Sequence, residues 1–243
     1  MDQLNRNARI AGLLYPLMGL PAVFSYQYVP HKLIIQGDSS ATAQRIMASE
    51  RLFRLGIVSE LVSVTAFLFL ARALYRLLKD VDRSNASLML TLVAVSVPLS
   101  FANVLNETAV LALLRPTGTF AFAFTEVQRQ AAITMFLTVH MDGLRLAAIF
   151  WGLWLFPFGA LVMRSGFLPK ILGVLLILAC FGWITDTAVW LLVPRYTNVV
   201  DTIASVIGGI GEFPISLWLL FVGVRPQRTA NSSSGSNWQQ QTG

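Results

Sequence analysis

Only one cysteine, Cys180, occurs in the 243 residues of the chain. That excludes an internal disulfide and any thiolate metal cluster. Set in the apolar run LILACFGW, the thiol reads as a small packed side chain. Histidine is nearly as scarce: His31 and His140 are the only two. With no H-E-x-x-H segment and no second intramembrane histidine, a catalytic zinc held by several histidines is excluded. A G-x-S-x-G nucleophile elbow and a phosphate-binding glycine loop are also missing, which argues against serine catalysis and nucleotide chemistry. The third shortage is charge, 12% of residues against about 25% in an ordinary soluble domain. No hydrophilic stretch is long enough to fold as a second domain. The formal net charge of +6 comes without a basic stripe interleaved with aromatics, so nucleic acid is not an expected partner.

What is present is apolar sequence, 55% of the chain, gathered into six runs at about residues 9–29, 53–78, 86–114, 135–163, 171–193 and 199–224. Each approaches or exceeds the roughly 20 residues that cross hydrocarbon. The expected fold is therefore all-α: a polytopic six-transmembrane-helix bundle in one domain over residues 1–224. A Ser/Gln/Gly-rich tail at 225–243 is expected to be disordered. The first run holds Pro16 and Pro21 and lacks a small-x-small site after it, which disfavours a secretory leader. Between the first two spans, Asp38, Ser39 or Ser40 is placed to cap a short surface helix. Pro116–Gly118 is a turn signal, and Phe120, Phe122 and Phe124 suit a membrane interface.

Six spans put both ends on one side. The flanks there carry Arg6, Arg9, Arg72, Arg76, Lys79, Arg83, Arg164, Lys170, Arg225 and Arg228. The opposite side has fewer positive charges, spread largely over two longer connections. The excess in short segments predicts cytoplasmic termini. It also makes Arg164 and Lys170, around the RSGFLPK turn, candidates for lipid head-group contact.

The fourth run carries His140, Asp142 and Arg145 near one end. Ionisable groups in a membrane are costly and face a partner or a cavity. At about 1.5 Å of rise per residue, Glu60, Asn103, Asn106, Glu107, His140 and Asp186 fall in the outer half, with Glu212 near the midplane. This predicts an outward-facing polar centre. Its ligand- or proton-binding candidates are His140, Asp186, Glu60, Glu212, Arg145 and Asn106. His140 with Asp186, Glu60 and Glu212 reads either as an acid/base, proton-relay or metal site or as a hydrogen-bonded lock between helices. Asp142 and Arg145, three apart, either neutralise each other or leave Arg145 for an anion. Glu212, after Gly208, Gly209 and Gly211 and before Pro214, reads either as a carboxylate beside a broken helix or as tight packing with a kink.

The segments ARIAGLLYPL, RLFRLGIVSEL, RSGFLPKILGVLLILACFGWITD and GEFPISLWLLFVGV together resemble the bacterial integral-membrane proteins catalogued as domain of unknown function 4386. The resemblance spans about Arg6 to Val224 and is most specific at RSGFLPKILGVLL. It implies a small multi-pass bacterial membrane protein of about six helices, with no established activity, substrate or cofactor. Arg54, His140, Arg164, Asp186 and Glu212 match positions of the family pattern, their role there being open. The functional expectation is a protein of the bacterial plasma membrane that binds or permeates a small polar solute or a proton. A membrane accessory or sensor with a structural polar cluster is the alternative, and a lipid-modifying enzyme ranks last. No catalytic residue, metal or cofactor is assigned.

Overall fold

The computed structural model describes residues 2–115 and 123–224, and every regular element among them is helical. The Pro116–Gly118 turn, Phe120, Phe122, and the tail from Arg225 lie outside the described residues. Six segments are long and apolar enough to cross a membrane: Gln3–Leu33, Glu50–Leu78, Arg83–Leu114, Glu126–Arg164, Lys170–Leu192 and Pro194–Val222.

The first span is built in three pieces. Helix α1 (Asp2–Val23) carries Pro16 and Pro21, passes through a π-turn at Phe24–Tyr28, and continues as α2 (Val29–Leu33). Proline removes a backbone donor and disturbs the preceding turn. Between the two prolines, the Met18 carbonyl accepts a hydrogen bond from Ser63 Oγ at 2.8 Å, a partner supplied from the second span. Next comes α3 (Ser39–Ala48), capped by Asp38, whose Oδ1 accepts from the Ala41 N–H at 2.8 Å.

Helices α4 (Glu50–Leu78) and α5 (Arg83–Leu114) form the second and third spans. The fourth consists of α6 (Glu126–Leu153) and α7 (Leu155–Arg164). Helix α6 starts well ahead of the apolar run because Thr125 and Gln128 form a capping box, satisfying two otherwise orphaned backbone donors. The break at Trp154 has a local cause: Pro157 has no N–H to offer the Leu153 carbonyl. Helix α8 (Lys170–Leu192) is the fifth span; α9 (Thr197–Leu217), ending in a π-turn at Trp218–Val222, is the sixth.

The spans follow one another around a ring that closes where the last meets the first. There the Val224 N–H donates to Asn5 Oδ1 at 3.2 Å, so the two described ends lie side by side. Within the ring, glycines let backbones touch. A Cβ at Gly159 would stand 2.6 Å from the Gly173 carbonyl, and one at Gly173 would stand 2.6 Å from that of Gly159. Helices α7 and α8 are therefore in backbone contact, the close approach that small residues permit inside a membrane.

Two separate apolar cores result. One gathers Leu70, Leu74, Trp154, Leu155, Phe158 and Leu176; the other gathers Ile46, Phe53, Ile57, Val110 and Ile133. Glu60 falls between Ile57 of the second and Phe67 of the first, so a polar layer separates them. Outside, the helices present large apolar side chains such as Leu13, Leu20, Leu105 and Phe213, as expected of surfaces solvated by lipid.

At the end of the bundle that carries the chain's ends, Asp82 joins two turns. It caps α5 through the Asn85 N–H (3.1 Å) and accepts from Asn85 Nδ2 (2.7 Å) and from Arg164 Nη1 (2.7 Å). The Asn85 hydrogen bonds first, and the Arg164 charge after them, hold its carboxyl below the usual carboxylate value. A group depressed in the folded state contributes stability above its unfolded pKa, about 3.9, and loses it as pH falls through the lower folded value. Thermal unfolding in detergent should thus show Asp82→Asn less stable than the native chain at neutral pH. The gap should close as pH drops below about 4.

Candidate functional site

Polar side chains in the spans gather into three groups rather than one. The first lies in the layer between the two cores. Glu60 on α4 is fully buried, Glu107 on α5 is 7% exposed and His140 on α6 is 5% exposed. His140 Nε2 stands 3.3 Å from Glu60 Oε2 and 3.9 Å from Glu107 Oε1. Neither oxygen of Glu60, nor Oε2 of Glu107, takes part in a hydrogen bond. The other ring nitrogen, Nδ1, meets Asn103: its carbonyl at 3.4 Å and its amide nitrogen at 3.2 Å. That amide is itself fixed, donating to the His140 carbonyl at 2.9 Å and accepting from Asn106 Nδ2 at 3.1 Å. Asn106 therefore orients Asn103 and does not face the carboxylates. A cavity of about 20 Å³ adjoins this group, bounded by Ser25, Tyr26, Glu107, His140 and apolar residues.

The second group lines a much larger cleft between α1 and α9, about 560 Å³ in volume. The two helices touch at one end, where Gly12 lies against the backbone of Leu219 and Leu220. From there they diverge along the stretches holding Pro16, Pro21 and Pro214. The walls are mostly apolar and aromatic: Tyr15, Phe67, Trp151, Trp154, Trp183 and Phe213. Among the described residues, Glu212 is the only acidic one lining the cleft. The Trp183 indole N–H faces it, and the same indole packs on Gly208, one turn earlier. The hydroxyls of Tyr15 and Ser100, both buried in these walls, make no hydrogen bond within the protein. The rim carries Leu20, Val23 and Phe213, which are exposed on the flank of the bundle. The cleft thus opens toward the hydrocarbon side of the helices. Tyr26, stacked on Trp151 with ring centroids 5.8 Å apart, borders both this cleft and the small cavity beside Glu107 and His140.

The third group is Asp142, Arg145, Asp186 and Asp201. Arg145 lies 3.7 Å from Asp142 and 5.5 Å over the Trp190 ring. Asp186 is buried and within electrostatic reach of Asp201 and Arg145.

This arrangement corrects the single convergent centre expected from depth. His140 and Glu60 do come together, but Asp186 and Glu212 join neither of them. The reason is azimuth. His140 and Arg145 are five residues apart, about 140° around a helix with 3.6 residues per turn. His140 consequently faces α4 and α5. The Arg145 carbonyl instead receives the Thr187 hydroxyl of α8 at 3.2 Å, which carries Asp186 to Arg145. Glu107 is the residue the candidate set lacked, although its place four after Asn103 puts both on one face of α5. Tyr26 gave no signal, because nothing in the sequence marks the π-turn that positions it.

Of the head-group candidates, Arg164 is engaged by Asp82, while Lys170 is exposed and pairs with no acid among the described residues. Ser165 is structural. Its hydroxyl donates to the Val162 carbonyl at 2.8 Å and accepts from the Leu168 N–H at 3.2 Å. It tightens a turn in which Gly166 has φ 71°, a conformation glycine adopts without strain.

Six helices long and apolar enough to cross a membrane, two apolar cores and an apolar exterior are the pattern of a multi-pass membrane protein. Residues 10–223 match the family described as "Domain of unknown function (DUF4386)", and the chain belongs to that family. No curated protein and no solved structure matches it.

Proposed function

We propose that the protein binds a small, largely apolar molecule bearing a cationic or hydrogen-bond-donating end, taken up from the bilayer into the cleft between α1 and α9. The observation that carries this reading is the cleft itself. Its volume of about 560 Å³ falls in the range of sites for small organic ligands, which are mostly apolar with a few placed polar groups. Here those groups are Glu212, Tyr15 and Ser100, set among the rings of Phe67, Trp151, Trp154, Trp183 and Phe213, which suit a cation or an apolar body. The small polar solute expected from sequence thus becomes an amphiphile. Permeation is the second reading, supported by Tyr26 standing between the cleft and the cavity beside His140. A bacterial plasma membrane with cytoplasmic termini fits the positive flanks, and Lys170 is placed to meet head groups.

The test is a titration of the protein in nanodiscs with decylamine and decanol, followed by tryptophan emission from the cleft. A charge-assisted hydrogen bond to Glu212, about 1.5–3 kcal/mol, gives the amine roughly a ten- to hundredfold preference. Glu212→Gln should abolish the preference and leave decanol binding unchanged. Equal binding of the two probes by the native chain, or a preference surviving in Glu212→Gln, would overturn the reading.

A further inference from the structure

The geometry points to a second site, independent of the cleft: Glu60, Glu107 and His140 hold a first-row divalent cation such as zinc, manganese or iron. One imidazole nitrogen and one oxygen from each carboxylate all lie within 4.8 Å of one another. Donors placed about 2.0–2.2 Å from a common ion stand roughly 3–4 Å apart. The separations of His140 Nε2 from Glu60 Oε2, 3.3 Å, and from Glu107 Oε1, 3.9 Å, fall in that interval, and binding draws the two carboxylate oxygens, within 4.8 Å of each other, onto the ion.

The hydrogen bonding favours an ion over a direct contact. The 3.3 Å contact of His140 Nε2 with Glu60 Oε2 still leaves Glu60 Oε1 and Glu107 Oε2 buried and without a hydrogen bond among the described residues. Two carboxylates buried in a bilayer, with no Lys or Arg paired to either among the described residues, need compensation. A divalent ion supplies it at one point. The support around His140 is that of a ligand. The Asn103 carbonyl lies 3.4 Å from Nδ1 and can accept a hydrogen bond from its proton, the tautomer that an ion at Nε2 selects. The adjoining cavity of about 20 Å³, which Glu107 and His140 line, has room for one water to complete the coordination that three protein donors leave open. A site of one imidazole and two carboxylates suits manganese, iron and zinc; an imidazole donor disfavours magnesium and calcium.

The experiment uses the full-length protein in detergent, stripped with a chelator and titrated with zinc chloride and with manganese chloride. The native chain should take up one equivalent of either ion per chain, saturably, and melt at a higher temperature when loaded. Glu60→Gln, Glu107→Gln and His140→Gln should each weaken uptake tenfold or more. In the metal-free state Glu60→Gln and Glu107→Gln should be no less stable than the native chain, since each removes a buried carboxylate. X-ray absorption of zinc-loaded native protein should show a nitrogen/oxygen shell at about 2.0–2.1 Å with one imidazole, a result that needs no variant to fold. No saturable uptake by the native chain overturns the site. So does uptake retained in the three variants, or a zinc shell without imidazole. Decylamine binding does not depend on these outcomes, so the two sites stand or fall separately.

Discussion

Gly209→Leu should abolish amine and alcohol binding and leave the protein folded; the same replacement two residues on, at Gly211, should prevent folding. Both glycines lie on α9, but they face opposite ways. A Cβ at Gly209 meets nothing within 4 Å, because this residue borders the cleft. A leucine there extends into the ligand's space and improves the local helix by up to about 1 kcal/mol. A Cβ at Gly211 would lie 2.5 Å from Ala179 Cβ and 2.9 Å from the Leu175 carbonyl. Those are atoms of α8 close to its backbone, and they cannot yield unless the helices separate. The comparison needs a folding readout, such as monodispersity and SDS-titration midpoint, beside the decylamine titration. Retained binding in Gly209→Leu would show that the ligand sits elsewhere. A stable Gly211→Leu would show that α8 and α9 are not in this contact.

The largest loss from a single side chain is expected at Trp154→Ala. Trp154 is 1% exposed and stands at the junction of α6 and α7. It stacks on Phe158 with centroids 5.4 Å apart and meets Phe67 edge-on at 5.0 Å. Truncating a buried tryptophan costs about 3–5 kcal/mol in transfer and cavity terms. The lost ring contacts add about 0.5–1.5 kcal/mol for each pair. Helix α4 would lose its partner at Phe67 and the cleft would lose its floor, so unfolding in SDS should come markedly earlier. Trp154→Phe should recover most of the difference. An alanine variant indistinguishable from the native chain would mean that the ring lies outside the cooperative core.

The spans were readable because each is a long run of apolar residues, and length alone separates such runs from soluble helices. The depth of the polar residues was readable as well, since rise per residue is fixed. Their direction around each helix was not. Asp186 and His140 share a depth, but a helix can be turned so that one of them faces α5 and the other does not. That rotation is set by packing, for instance by the glycine contact between α7 and α8. Glu107 illustrates the other side of this limit. Its spacing from Asn103 fixed their common face, yet only tertiary contact shows that Glu60 and His140 lie opposite. Glu212 beside three glycines and Pro214 was the most informative local pattern, and it does border a cleft. The partner wall, bent by Pro16 and Pro21, came from the far end of the chain.

That last point governs how the protein is made. The hydrogen bond from Val224 to Asn5 joins residues 219 positions apart, and it lies at the seam where the ring of helices closes. Spans leave the ribosome in order, so α1 must wait in the membrane with its cleft-facing side toward lipid until α9 arrives. Glu212, one wall of the cleft and the seam all enter the bilayer with α9. A chain halted before α9 can assemble Glu60, Glu107 and His140, whose three helices are already present, but it has no cleft. Biosynthesis thus separates in time what the finished fold places side by side.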